Sequence, residues 1–129
     1  MHPSYFLILS TQDDDPKKEL VLSPEVSEWL FSSRFWDNLN QEHDTIFSQY
    51  EEEILPVTLM PNILKRLRSI ITDLSQQSGL KTRFRYGWNE KKDELICVVG
   101  NDKIVGELSK LITFIEEASG FESDVYCQL

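Results

Sequence analysis

The sequence predicts an α+β fold, in which a mixed or mainly antiparallel sheet of about five to six strands carries three helices. The clearest pattern is an amphipathic helix over residues 58–79. A second observation is a β-hairpin predicted over residues 80–99. Strands and helices do not alternate strictly, as a parallel sheet would require. The 129 residues suffice for one domain with its own core, which we assign to residues 1–129.

The N-terminal part of the chain is predicted to form two strands and a broken helix. Residues 5–11 are aromatic and β-branched, as in a strand, and residues 19–22 read as a short returning strand. Ser23 is typical of a helix N-cap, and Pro24 suits the first helical position because it has no N–H to donate. The serines at 32–33 interrupt the helix before a second helical stretch that carries Phe35, Trp36 and Leu39.

The segment before the long helix fits both kinds of element. Within residues 45–55, Ile46, Tyr50 and Ile54 are four apart, which suits a helix, and also an even number apart, which suits one face of a strand. A strand is favoured because Pro56 closes the segment and a helix follows closely.

Both ends of the long helix carry residues that are typical of helix termini. Thr58 is expected to cap its first N–H groups, and Pro61 fits its first turn. Gly79 can adopt the left-handed conformation that ends a helix. Its apolar stripe, which must be buried, consists of Ile63, Leu64, Leu67, Ile70, Ile71 and Leu74.

The C-terminal part is predicted to hold the hairpin, a helix and a last strand. The first hairpin strand alternates basic side chains with apolar or hydroxyl ones, as in a half-buried strand. Residues 94–99 are a continuous apolar run, which predicts the central strand of the sheet. Asn101 or Asp102 is expected to cap the following helix, and Gly120 to end it before a strand over residues 121–129.

No pattern in the sequence predicts catalysis, a metal site or a cofactor. His2 lies at a terminus, and His43 has only its neighbour Asp44 as a partner, which is a poor arrangement for a base and its orienting carboxylate. The aspartates at 13–15 lack the spacing, glycine and glutamate of a calcium loop, so a solvated turn is expected. No glycine-rich loop follows a strand. We therefore predict a protein that is not an enzyme and needs no cofactor.

Cys97 and Cys127 are expected to be buried free thiols, since they lack CxxC spacing. The sequence shows no signal peptide and no membrane span, so the protein is expected in the cytoplasm, where disulfides are rare. A disulfide between the two cysteines is the alternative if their strands are neighbours.

The formal net charge of −9 limits the class of partner. Phosphate backbones and anionic lipids repel an acidic protein, so we predict a basic protein partner, no nucleic acid and no membrane. The alternative is that the acidity only maintains solubility. Residues 1–60 hold twelve acidic side chains against three basic ones, and residues 61–100 hold eight basic against four acidic. This layout predicts either internal pairing or an acidic recognition face.

The candidate recognition face combines acids that attract a basic protein with aromatic rings that slow its dissociation. The predicted partner-binding residues are Trp36, Asp37, Glu42, Asp44, Tyr50, Glu51, Glu52 and Glu53. Trp36 is also typical of a core, together with Trp29 and Phe35. A second candidate is the basic row of the hairpin, which suits an acidic partner or, less well beside so much negative charge, single-stranded nucleic acid. This row consists of Lys81, Arg83 and Arg85, beside Tyr86 and Trp88.

Three stretches resemble the small acidic α+β immunity proteins that accompany bacterial polymorphic and contact-dependent toxins. These are the Ser23-Pro24 helix start, the strand ending in residues 50–56, and the helix that begins with residues 60–67. The resemblance covers residues 20–75 and assigns no functional residue. It implies a non-catalytic inhibitor that binds a cognate toxin and covers its active site or substrate groove.

The sequence therefore favours a cytoplasmic binding protein that neutralises a basic toxin domain. An alternative is a small accessory or self-associating interaction domain that uses the apolar surface of the hairpin. A small enzyme with carboxylates as general acid and base ranks last, since no paired constellation is visible. The oligomeric state is not assigned.

Overall fold

The computed structural model describes residues 1–9 and 18–129, and in these residues the chain forms six strands and four helices. The α+β class is therefore confirmed, with one helix more than predicted. The predicted turn at residues 13–15 lies outside the described residues. The strands are β1 (Ser4–Ile8), β2 (Glu19–Leu22), β3 (Glu52–Leu55), β4 (Lys81–Trp88), β5 (Glu94–Gly100) and β6 (Val125–Gln128). The helices are α1 (Pro24–Ser32), α2 (Phe35–His43), α3 (Met60–Ser75) and α4 (Asn101–Gly120), with a 3₁₀ turn (Val57–Leu59) before α3.

None of these helices has both the length and the apolar content that crossing a membrane requires, as far as the described residues go.

The strands form two separate antiparallel sheets, which corrects the predicted single sheet. Four strands pair in the order β2-β1-β6-β3, while β4 and β5 form a two-stranded hairpin. The prediction that residues 94–99 form the central strand is wrong, because β1 and β6 take the central positions. The apolar run is only half buried: Cys97 and Val99 face the core, whereas Val98 is 54% exposed on the other side of the hairpin.

The predicted break in the first helix is confirmed, and it separates α1 from α2. Arg34, between the two helices, has a left-handed backbone with φ 66°, which interrupts the helical path. At the start of α1, the Ser23 hydroxyl accepts a hydrogen bond from the N–H of Val26 at 3.3 Å, and Pro24 lies in the first turn. These signals were readable from sequence because a cap acts within one turn.

Only the end of the predicted strand over residues 45–55 is extended, as β3. The side chain of Asn40 explains the shorter strand. Its Oδ1 accepts hydrogen bonds from the Phe47 N–H at 2.9 Å and the Thr45 hydroxyl at 2.8 Å, and its Nδ2 donates to the Phe47 carbonyl at 2.8 Å. The chain is thereby folded back onto α2, and extended structure begins only at Glu52.

The start of α3 differs from the prediction. Thr58 does not cap the helix, because it lies in the 3₁₀ turn and is exposed. The turn itself supplies an acceptor, since the N–H of Met60, the first residue of α3, donates to the Val57 carbonyl. Pro61 lies in the first turn, as predicted. The helix ends at Ser75, before the predicted end at Gly79, although Gly79 has the expected left-handed backbone with φ 81°.

Neither Asn101 nor Asp102 caps α4, because both are already helical. Asn101 is 1% exposed and connects the helix to its surroundings. Its Oδ1 accepts from the Thr82 hydroxyl at 2.5 Å, and its Nδ2 donates to the Gln77 carbonyl at 3.1 Å. The helix ends at Gly120, as predicted.

The core lies between the helices, one face of the four-stranded sheet and one face of the hairpin. The sheet residues that point into it are each at most 1% exposed and belong to the same cluster as the apolar stripes of α3 and α4. These sheet residues are Phe6, Ile8, Leu22, Leu55, Val125 and Cys127. Cys97 and Cys127 are buried free thiols, as predicted, and lie in different sheets. Burial raises the pKa of both thiols.

Candidate protein-binding surface

The eight predicted partner-binding residues fall into three different environments. Trp36 is in the core, 2% exposed, with its ring 5.0 Å from that of Phe35 and 5.1 Å from that of Phe47. Its indole N–H has no hydrogen-bond partner among the described residues, so packing alone holds it. Trp36 is therefore a core residue and not a surface anchor.

Asp37 and Glu42 are exposed on α2, but nearby arginines already pair with them. Arg34 lies 4.0 Å from Asp37, and Arg66 on α3 forms an ion pair with Glu42. Arg66 lowers the pKa of the Glu42 carboxyl below its ordinary value. The predicted internal pairing thus occurs at Glu42, although exposed pairs of this kind contribute little to stability.

Asp44, Tyr50 and Glu51 lie in the loop that Asn40 folds back, and all three are exposed. Tyr50 has a left-handed backbone with φ 66°, an uncommon conformation for a bulky residue, and its side chain is 64% exposed. Its ring centroid lies 4.7 Å from that of His2. Tyr50 is therefore the predicted anchor that reaches the surface.

Glu52 and Glu53 are consecutive residues of the edge strand β3, so they point to opposite sides of the sheet. Glu53 lies opposite Cys127, on the side of the sheet that faces the core, and is half-buried because β3 is at the edge of the sheet. Glu52 lies opposite Gln128, on the side away from the helices. The carboxylate of Glu52 accepts a hydrogen bond from the Gln128 side chain at 3.4 Å and lies beside Tyr126.

The side of the four-stranded sheet that faces away from the helices is an apolar surface, which we call the open face. Strand register places Leu7 beside Tyr126, and Tyr126 beside Ile54. The described helices leave it uncovered, since Val21 is 56% and Ile54 44% exposed. The open face consists of Tyr5, Leu7, Val21, Ile54 and Tyr126, bordered by Glu19, Glu52 and Gln128.

Two tyrosine–glutamate pairs give the open face a defined geometry. The Tyr5 hydroxyl donates to the Glu19 carboxylate at 2.6 Å, across the β1–β2 pair. Glu52 lies beside Tyr126 across the β6–β3 pair. Each carboxylate raises the pKa of its tyrosine, because hydrogen bonding and negative charge both favour the neutral phenol. Both phenols thus lie beside acidic groups before any partner arrives.

Sequence reasoning identified Glu52 but missed the rest of the open face. The available signal was that these strands carry large apolar side chains at successive positions, as in Tyr5-Phe6-Leu7-Ile8. A strand with one solvated face normally alternates apolar and polar residues. The lack of alternation here marks a sheet that is apolar on both faces.

The outer side of the hairpin is a second exposed surface, which we call the basic face. The predicted alternation is confirmed, because Phe84 is buried while the basic residues on either side of it are exposed. The Arg85 guanidinium lies over the Trp88 ring, with its Cζ 4.6 Å from the ring centroid. Its Nη1 lies 3.6 Å from the Glu94 carboxylate. The basic face consists of Lys81, Arg83, Arg85, Trp88 and Val98.

No group of three or more metal-ligating side chains converges anywhere in residues 1–9 and 18–129. His2 packs on Tyr50, and His43 lies 3.8 Å from its neighbour Glu42. Comparison of the chain with protein-family models, with curated proteins and with solved structures finds no match.

Proposed function

We propose that this protein is a non-catalytic binding protein whose open face docks onto a basic protein. The observation that supports the proposal is an uncovered sheet face of apolar and aromatic side chains bordered by carboxylates. Contiguous exposed apolar patches with a polar border mark interaction sites, and tyrosine is enriched among the residues that dominate binding energy.

Charge favours a basic partner over a neutral one. Glu19 and Glu52 lie on the open face, and Asp44 and Glu51 extend the negative charge along the neighbouring loop. The whole chain carries a formal charge of −9. Long-range attraction between opposite charges speeds association, and the apolar centre, once desolvated, slows dissociation.

The concrete form of the proposal is a cytoplasmic immunity protein that neutralises a toxin domain. Such a protein needs a rigid, preorganised surface and no catalytic group, and the fixed tyrosines of the open face meet that requirement. The sequence resemblance in residues 20–75 supports the same class. Inhibition would follow from covering the toxin's active site or its substrate groove.

The test is an affinity purification from the native cell with matched variants of this protein as bait. The open-face variant Glu52→Lys/Ile54→Ser reverses one charge and removes one exposed apolar group. The control Glu90→Lys/Val98→Ser makes the same changes on the hairpin. A basic protein retained by the wild type and the control, and lost by the open-face variant, supports the proposal; equal retention by all three baits contradicts it.

The immunity function has its own test once that partner is identified. Expression of the partner alone should arrest growth, and co-expression of this protein should restore it. The open-face variant should fail to restore growth at equal protein level. If the partner alone does not arrest growth, the protein remains a binding protein and the immunity function is excluded.

A second candidate is self-association through the hairpin. Val98 and Trp88 are each 54% exposed on its outer side, and each strand of a two-stranded sheet keeps one unpaired edge. Light scattering across a hundredfold concentration range tests this idea. A mass that rises with concentration supports self-association, and a constant monomer mass excludes it.

A further inference from the structure

A cavity of about 310 Å³ lies between α1 and β4, apart from the open face. Phe31 on α1 and Tyr86 and Trp88 on β4 contribute aromatic walls. Glu28 and Gln49 add polar groups. The cavity is thus lined by polar and charged groups together with aromatic rings.

The unusual feature of this cavity is the carboxylate of Glu28. Glu28 is only 6% exposed, and glutamate is almost never buried unless it is paired. The Gln49 side chain donates one hydrogen bond to its Oε1 at 2.8 Å. Among the described residues, no other group donates to this carboxylate and no basic side chain forms an ion pair with it.

Arg85 also lines the cavity, but its guanidinium is engaged elsewhere. Its Nη1 lies 3.6 Å from the Glu94 carboxylate, and the group sits over the Trp88 ring. Among the described residues, the Glu28 carboxylate thus has one amide hydrogen bond and no counter-ion. A cationic group would find an unpaired acceptor charge there.

We infer that this cavity accepts the cationic end of one lysine or arginine side chain of the basic partner, with Glu28 as its counter-ion. The inference rests on the proposed function. An ammonium or guanidinium group makes charge-assisted hydrogen bonds to a carboxylate and is attracted to aromatic faces. Its alkyl stem would pack on Phe31 and Tyr86.

The position of the cavity connects it with the candidate binding surface. Gln49, the hydrogen-bond partner of Glu28, directly precedes Tyr50, which is 64% exposed. The carbonyl of Glu51 accepts from the Leu129 N–H at 3.0 Å, at the end of the four-stranded sheet. Residues 49–51 therefore run from the wall of the cavity to the end of the four-stranded sheet.

The first test uses small probes, so that it does not depend on knowing the partner. N-acetyl-lysine amide and N-acetyl-arginine amide are titrated into the labelled protein while NMR follows the Gln49 side-chain amide and the Trp88 indole N–H. We expect saturable shifts for both probes and none for N-acetyl-norleucine amide, which has no charge. Equal shifts with the norleucine probe, or no shift with any probe, would overturn the inference and leave the proposed function standing.

Matched variants locate the binding group. Glu28→Gln keeps the shape and an acceptor for Gln49 but removes the charge, and should weaken probe binding about tenfold or more. The control Glu25→Gln, on the same helix, removes the partner of Lys103 and should leave probe binding unchanged. Trp88→Leu, at the exposed rim, should weaken binding about threefold. Unchanged binding by Glu28→Gln, with its fold verified by circular dichroism, would refute the assignment.

The identified partner completes the test. Glu28→Gln should weaken partner binding by a similar factor, and replacing one basic residue of the partner by methionine should have no further effect in that variant. Full partner affinity in Glu28→Gln would show that the partner does not use this cavity.

Discussion

The four-stranded sheet and the hairpin pack on the core in the same way, but their outward faces carry opposite charges. Each places one face on the core and leaves the other facing outward, and that outer face combines aromatic with charged side chains. On the open face the charged groups are Glu19 and Glu52, and on the basic face they are Lys81, Arg83 and Arg85. The net charge of −9 is therefore not spread evenly, because the two sheets separate opposite charges in space.

The two surfaces also differ in how firmly they are supported. The strands that carry Tyr5 and Tyr126 are central and paired on both sides, and their inner residues are fully buried. The hairpin has two strands only, each with an unpaired edge, and a two-stranded unit is marginal without packing. The open face is therefore the more rigid of the two, which suits preorganised binding.

Substitutions on the two faces of β1 should differ most in their effect on stability. Phe6 points into the core at 0% exposure, and its neighbour Leu7 lies on the open face. Phe6→Ala should lower the free energy of unfolding by about 3–5 kcal/mol, through lost burial and a cavity. Leu7→Ala should cost about 1 kcal/mol, because its side chain is already partly exposed. Denaturant unfolding measures both, and similar losses would mean that the open face is covered.

Charge reversal compares the two sheets as binding surfaces. Glu19→Lys/Glu52→Lys should slow association with the basic partner about tenfold at low salt, because attraction becomes repulsion. The matched change Lys81→Glu/Arg83→Glu should not slow it. Association rates measured by surface plasmon resonance over a range of salt concentrations test this. The opposite ranking of the two variants would place the binding site on the hairpin.

Hydrogen exchange tests the difference in rigidity. Backbone amides of β4 and β5 should exchange at least about tenfold faster than those of β1 and β6, since local opening of a two-stranded unit breaks fewer contacts. NMR or mass spectrometry resolves the two sets. Equal protection would show that the hairpin opens only when the whole protein unfolds.

The smallest effect concerns the tyrosine hydroxyls of the open face. Tyr5 and Tyr126 should titrate above the ordinary pKa of 10.0, and Glu19→Gln and Glu52→Gln should each move one of them back toward it. Because the folded-state pKa is the raised one, this contribution to stability is fully present below pH 10 and is lost as the pH rises through the folded-state value. Because the chain has four tyrosines, NMR signals of the individual rings, followed over a pH titration, report these two residues separately. Titration unaffected by either glutamine variant would contradict the hydrogen bonds.

The order of elements along the chain was readable from sequence, including the break that separates α1 from α2. The Ser23 cap, the stripe of α3 and the alternation of β4 are local patterns, set by interactions within a few residues. Helix starts were less predictable. Thr58 and Asn101 have cap chemistry, but a preceding 3₁₀ turn and contacts with Thr82 and Gln77 take precedence.

The candidate site was predicted less well than the fold. Tyr50, Glu51 and Glu52 reach the surface as expected, whereas Trp36 is in the core and Glu42 pairs with Arg66. The sequence around an aromatic residue does not show whether its side chain anchors a partner or packs in the core. Whether a glutamate meets an arginine depends on how two distant segments pack.

Composition and local periodicity by themselves determined the α+β class, the long amphipathic helix and the acidic character of the surface, because those properties belong to single segments. Tertiary structure decided that the strands divide into two sheets, that β1 and β6 are central, and that Tyr5, Leu7, Ile54 and Tyr126 share one uncovered face. It also decided that Glu28 is buried beside Gln49. The physical reason is that strand pairing and burial are non-local: they depend on which distant segments meet, and no window of sequence contains both partners.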